Sequence, residues 1–186
     1  VVGLVTVGIA LNRSLQVAQI TRDVGRMFVR GVDFSEQANQ ELIVGSTTRR
    51  NLPALARGLG IQGATGTATG VTTGNGVMVL SVFMRMPSNC NCTNASQIVL
   101  TRRIVIGNNT LFTSSYGNPP GSLVNASTGA INNYASDVAA RANSFSGVVN
   151  LSSSEIAYVV ESKFNYPDLA IPGVFASPGV YWRAVF

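Results

Sequence analysis

The chain has 186 residues, of which 46% are hydrophobic and only 11% are charged, with a net charge of +5. An ordinary soluble domain carries roughly 25% charged residues. There is no histidine, and the eight carboxylates are scattered singly, so the commonest general base and metal ligand are missing. The composition disfavours an enzyme, a metal site and a bound cofactor, and it favours a protein outside the cell or one packed against copies of itself.

The basic residues do not form the pattern of a nucleic-acid binding surface. Such a surface needs clustered bases with interleaved aromatic side chains. Only two adjacent pairs occur, Arg49-Arg50 and Arg102-Arg103, and neither has aromatic neighbours. We therefore expect no nucleic-acid partner.

The chain begins with an uncharged apolar segment, residues 1–11. A complete membrane span needs about 20 such residues, so the segment is interpreted as the second half of a spanning helix whose start lies upstream. The alternative is a buried strand or helix of the protein's own core. A seamless join to a helical pattern after Leu11 favours the first interpretation.

Residues 12–32 continue with helical spacing, so that residues 1–33 are predicted to form one long apolar and amphipathic helix. Its apolar positions are predicted to carry assembly: Leu4, Val5, Ile9, Leu11, Leu15, Val17, Ile20, Val24, Met27 and Phe28. Arg22, Arg26 and Arg30 lie four apart and form one basic row, with Asp23 beside it. This row either pairs with charges of a neighbouring subunit or faces solvent and lipid headgroups.

The remainder, residues 34–186, is predicted to be a globular α+β head. A short helical region is expected over residues 35–58, followed over 58–76 by a segment rich in glycine and threonine that forms a loop or a twisted edge ribbon. Apolar strands ended by proline or polar turns are predicted in four segments: 77–86, 98–106, 155–166 and 180–186. The predicted fold class is therefore α+β, with a long N-terminal helix and an antiparallel sheet of about four strands.

Two further groups of residues are candidates for covalent modification. Cys90 and Cys92 lie in a loop and favour a disulfide in an exported protein, with free thiols or bonds to neighbouring subunits as alternatives. Five Asn-x-Ser/Thr sequons lie beyond the helix and are candidate glycosylation sites: Asn91, Asn94, Asn108, Asn125 and Asn150.

In the order of its motifs the chain resembles the TadE-like pseudopilins of the tight-adherence branch of type IV pili. The resemblance lies in residues 8–26, 76–82, 154–166 and 181–186. It implies a pilin-like fold and a structural subunit of an extracellular filament on a bacterial surface. The implied partners are identical subunits in a helical homopolymer, the inner membrane before assembly, and the pilus assembly machinery.

One departure from that family concerns processing. Its members keep a glutamate near the start of the mature helix, whereas the first glutamate here is Glu36, so no processing residue is transferred to this chain. The family has no catalytic residues to transfer.

Two other functions remain open from the sequence. One is a membrane-anchored minor pseudopilin of a pilus or secretion machine that never forms bulk polymer. The other is a surface adhesin whose aromatic side chains stack on sugars, although aromatic residues at strand spacing are more often core: Tyr116, Tyr134, Tyr158, Tyr166 and Trp182.

Overall fold

A computed structural model describes residues 2–44, 61, 67–166 and 179–186, with side chains from residue 8 onward. It contains two α-helices, α1 (Val2–Val29) and α2 (Gln37–Val44). The strands are β1 (Thr69–Val71), β2 (Gly76–Arg85), β3 (Ile98–Asn108), β4 (Ile156–Asn165) and β5 (Gly179–Val185). Single 3-10 turns lie at Gly121–Leu123, Val138–Ala140 and Asn143–Phe145.

The strands form one five-stranded mixed sheet in the order β1-β3-β2-β4-β5. β2 lies at its centre and pairs antiparallel with both β3 and β4, while β5 pairs antiparallel with β4. The edge strand β1 pairs parallel with β3. Both faces of β2 are covered, which explains why this strand reads as a continuous apolar run and not as an alternating one.

The predicted fold class is wrong. We expected a long apolar helix with a separate head of about four antiparallel strands, and the chain instead has a sheet-rich fold built on five strands of mixed direction. The physical reason is twofold. β1 adds a parallel strand at the edge, and α1 is an integral layer of the fold because its inner side is buried against the sheet.

The inner side of α1 supplies one layer of the larger hydrophobic core. Val17, Ile20, Val24 and Phe28 recur at spacings of three and four, and each is at most 4% exposed. They pack mainly over β4 and β5, with the Phe28 ring edge-on to Tyr158 at a centroid distance of 5.3 Å. Burial of such side chains is worth roughly 1.5–3 kcal/mol each, which explains why the helix lies on the sheet.

The opposite face of the sheet is covered by the long connection between β3 and β4. Its side chains form a second core with β2, β3 and β4, in which Phe83 and Phe145 stack at a centroid distance of 4.2 Å. The spacing of Tyr134, Val138 and Ala142 favours a short helix over residues 131–145, but the segment contains turns, isolated bridges at Ile131 and Arg141, and two 3-10 turns. Asn94 fastens this connection, because its amide donates to Tyr134 O and Asp137 O at 2.7 Å each.

The segment between α1 and β2 is described only in part. The described part of the second helix is Gln37–Val44, and residues 45–58 of its predicted range lie outside the described residues. β1 lies within the range 58–76, which was predicted as a loop or a twisted edge ribbon, and a three-residue strand with Gly70 at φ +75° carries almost no pattern that could give its bounds. Its pairing with β3 is a tertiary contact that local sequence does not indicate.

Candidate functional site

The clearest exposed feature of the described surface is the outward face of α1, formed by Gly8, Leu11, Leu15, Arg22, Arg26 and Val29. These positions follow one another at helical spacing on the side opposite the buried stripe. Leu11 is 62% exposed and Leu15 68% exposed, and they lie one turn apart. Two leucines held this far into water on a well-anchored helix form an apolar patch that the monomer itself does not use.

Two glycines of α1 have opposite roles in the monomer. A Cβ built on Gly25 would overlap the ring of Phe186, so a close internal contact requires a glycine there. A Cβ built on Gly8 would meet no atom within 4 Å, although a glycine inside a helix costs about 1 kcal/mol relative to alanine. Gly8 lies on the outward face beside Leu11, where the lack of a side chain permits the backbone of another element to approach closely.

The basic row lies on the same side of the helix, beyond the two leucines. Arg22 and Arg30 are exposed, and Arg26 approaches Asp23 at 3.8 Å with 67% of its side chain in solvent. An exposed pair of this kind contributes little to the stability of the monomer. Along α1, the outward face therefore consists of an apolar part followed by a positively charged part.

The predicted assembly residues divide between the two sides of the helix. Val17, Ile20, Val24 and Phe28 are buried against the chain's own sheet and Met27 is partly buried, so these side chains are occupied within the monomer. Ile9, Leu11 and Leu15 are exposed, and the side chains of Leu4 and Val5 lie outside the described residues. The spacing of apolar residues predicted one helix, but it did not indicate which side of that helix the sheet covers.

The described residues contain neither a membrane-spanning helix nor a cluster of metal ligands. No helix among them is both long and apolar enough to cross a membrane. No group of three or more Cys, Asp or Glu side chains within the same residues is arranged to hold a metal ion.

The candidate modification sites differ in accessibility. Cys90 and Cys92 are joined by a disulfide. Asn91, Asn125 and Asn150 are exposed, whereas Asn94 is 0% exposed and Asn108 is 7% exposed. Both buried side chains donate hydrogen bonds to backbone carbonyls, so this fold does not present them to a glycosylating enzyme.

The aromatic residues considered for sugar stacking are mostly engaged inside the fold. Tyr116 and Tyr166 are buried, and Tyr158 packs on Phe28. Trp182 is half-buried against the α1 core, and its indole N–H donates to Ser14 Oγ at 3.3 Å. Tyr134 is half-buried beside the second core. These side chains form no common stacking platform on the described surface.

Sequence reasoning missed a buried polar cluster on the sheet face opposite α1. Arg103 of β3 is 8% exposed and Glu161 of β4 is 0% exposed. Arg103 Nε donates to Ser81 Oγ of the intervening strand at 3.3 Å, and Nη1 donates to Gly117 O. Glu161 Oε1 accepts a hydrogen bond of 2.8 Å from the Tyr181 hydroxyl of β5. Arg103 is adjacent to Arg102, and nothing in the local sequence indicates that only one of the two arginines is buried.

The electrostatics of this cluster follow from burial. Burial lowers the pKa of Arg103 to about 10, against the attraction of Glu161, so the guanidinium stays charged at neutral pH. Burial also raises the pKa of the Glu161 carboxyl, and the neighbouring hydroxyl groups and the charge of Arg103 offset this only partly. The pKa of Tyr181 is raised by burial and by the adjacent carboxylate.

The raised pKa of Glu161 makes stability depend on pH. The folded state favours the protonated carboxyl of Glu161. The protonated group therefore contributes its full stabilisation below pH 4.5, the ordinary pKa of a glutamate, and this stabilisation is lost as pH rises through the pKa of the folded state. Glu161→Gln cannot ionise, and we expect it to gain stability relative to the wild type as pH rises above 4.5, by at most about 1.4 kcal/mol per pH unit. Urea unfolding of both proteins from pH 4.5 to 8 measures the difference.

The matched control is Glu36→Gln, since Glu36 is exposed. Its stability curve is expected to run parallel to that of the wild type over the same range. A constant difference between Glu161→Gln and the wild type at all pH values would contradict the assignment of this pH dependence to Glu161.

No family model, curated protein or solved structure shows a significant match to this chain. Two features of the described residues bear on function: the outward face of α1 and the buried cluster around Arg103.

Proposed function

We propose that this chain is a structural subunit of an extracellular filament, in which the outward face of α1 docks on another copy of the chain. The observation that carries the proposal is the pair Leu11 and Leu15, exposed by 62% and 68% on a helix whose other side is anchored in the core. Exposure of apolar side chains to water is unfavourable, and a partner that covers them lowers the free energy of the system.

Three further features support the same surface. No contact with the described residues requires a glycine at position 8, and Gly8 permits a close helix approach beside Leu11. The arginines that follow along the face supply a charge that orients a partner. The resemblance of the motif order to TadE-like pseudopilins indicates the same mode of use, with residence in the inner membrane and delivery by a pilus assembly machinery at a bacterial surface.

The contact is expected to be head-to-tail. A single outward face on one element docks on a different surface of the next copy, and repetition of such a contact generates an open helical fibre, not a closed ring. Each buried leucine contributes roughly 1.5–3 kcal/mol. Two per contact, repeated along a fibre, add a substantial free energy to each subunit interface.

The test is a paired substitution on the outward face. Leu11→Gln with Leu15→Gln removes the apolar patch while leaving the buried side of α1 intact, so we expect the monomer to fold and long polymers to disappear. Negative-stain microscopy of material sheared from producing cells measures the polymers, and circular dichroism of the purified protein measures the fold.

The matched control is Val138→Gln, because Val138 is 57% exposed and lies on a 3-10 turn far along the chain from α1. It removes a comparable exposed apolar side chain and is expected to leave polymers unchanged. Polymers of normal length and abundance from the double variant would refute the proposal.

A further inference from the structure

A cleft of 460 Å³ lies on the sheet face opposite α1. Its floor is formed by β1, β2 and β3, including Val79, Arg103 and Val105, and its outer wall is the loop of residues 109–121. Ligand sites in proteins are typically about 300–1,000 Å³. The cleft thus has room for a small organic molecule, and it is separated by the whole sheet from the face that carries α1.

Arg103 gives this cleft an unusual chemistry. The side chain lines the cleft and is 92% buried, the complement of its 8% exposure. Its Nη2 group makes no hydrogen bond with any described residue, although Nε and Nη1 both do. The buried Glu161 carboxylate attracts the guanidinium electrostatically, but no carboxylate of the described residues forms a direct ion pair with it. A buried guanidinium with an unused donor is costly, and an anionic oxygen would satisfy it.

The remainder of the wall is neutral and of mixed polarity. Thr113, Ser114 and Asn118 place hydroxyl and amide groups around the cleft, and Phe112 supplies one aromatic ring, tilted at 5.3 Å from Tyr181. Hydroxyl and amide groups act as both donors and acceptors. Thr113 and Asn118 are exposed and can bind a ligand with several hydroxyls, whereas the Ser114 hydroxyl is already hydrogen-bonded to Tyr116 N and to Glu161.

We propose that the cleft binds a small polyhydroxylated carboxylate of the hexuronic acid class, with its carboxylate on Arg103 and its hydroxyls on the loop of residues 109–121. Charge-assisted hydrogen bonds of this kind are about twice as strong as neutral ones. They strengthen further where bulk water is excluded.

The same arginine connects the ligand to the loop. Nη2 is shielded from bulk solvent, so the ligand reaches it only as the outer wall adjusts. That wall is loop, the least stable type of segment, and Arg103 Nη1 already holds it through Gly117 O. A bound carboxylate would therefore order residues 112–118 as well as pair with the guanidinium.

The experiment titrates the full chain with D-glucuronate, D-glucose and acetate, by calorimetry and by amide chemical shifts in low salt. Glucuronate is expected to bind about tenfold or more tightly than either comparator. The shift changes are expected at residues 112–118 and at Arg103, with slower amide hydrogen exchange in the loop.

Two variants test the site itself. Thr113→Trp places a large side chain at an exposed position of the wall and is expected to abolish binding, whereas Ser153→Trp, exposed and outside the cleft, is expected to bind normally. Arg103→Lys keeps the positive charge but removes the planar guanidinium with its several N–H donors. We expect the affinity for glucuronate to fall at least tenfold.

Several results would overturn the proposal: no glucuronate binding, equal binding of glucose or acetate, or unchanged binding by Thr113→Trp. Filament assembly plays no part in these measurements. The outcome is therefore independent of the proposed structural role.

Discussion

Replacing Phe28 by alanine is expected to lower the free energy of unfolding by about 3–5 kcal/mol. The ring is 4% exposed and packs edge-on to Tyr158 and tilted against Phe34, at centroid distances of 5.3 and 6.3 Å. Its removal leaves a cavity between α1 and the sheet that neither layer can close. Urea denaturation followed by circular dichroism measures the loss.

Leu15→Ala is the matched control on the other side of the same helix. Leu15 is 68% exposed, and we expect a change within about 0.5 kcal/mol. This contrast separates the side of α1 that stabilises the monomer from the side that we propose contacts a partner. Equal effects of the two substitutions, or a small effect of Phe28→Ala, would mean that the helix is not a layer of the fold.

Asn94→Ala is expected to lower the free energy of unfolding by about 3 kcal/mol or more. The side chain is 0% exposed, and its oxygen also accepts a hydrogen bond of 2.7 Å from Arg141 Nε. Its removal leaves the partly buried carbonyls of Tyr134 and Asp137 and the Nε–H of Arg141 without this partner, and each unsatisfied group of this kind costs about 1–3 kcal/mol. Thermal and urea unfolding measure the effect.

Asn91→Ala provides the control, because Asn91 is exposed in the same loop and begins another sequon. Its stability is expected to match that of the wild type. If Asn94→Ala were equally harmless, the amide would not fasten the connection between β3 and β4. Mass spectrometry of protein from the cell surface adds a second check, since any glycan is expected on the exposed asparagines and not on Asn94.

The exposure of Leu11 and Leu15 and the burial of Phe28 show why the sequence alone was ambiguous about the role of α1. An apolar helix at one end of a chain is typical both of a core element and of an assembly element. Here the inner side of α1 completes the core and the outward face remains exposed. In the proposed filament, a partner that docks on α1 would contact an element already fixed by the sheet, so assembly would depend on folding.

Local sequence was sufficient for the regular elements with strong patterns. The segment after residue 76 and the segments ending near Asn108, Asn165 and Val185 form strands, because β-branched residues between proline and polar turns specify strands locally. The helical period over residues 12–29 likewise came from local spacing. Composition alone identified a chain poor in charge and without histidine.

Only the tertiary structure decided the layer order, the parallel edge strand and the polar cleft, because these depend on contacts between distant residues. Arg102 and Arg103 illustrate the reason. Successive strand residues point to opposite faces: Arg102 reaches Asp33 and Thr128 O, while Arg103 is buried on the other side. The sequence determined that the two arginines would face apart, and the packing of α1 and of the β3–β4 connection decided which of them would be enclosed.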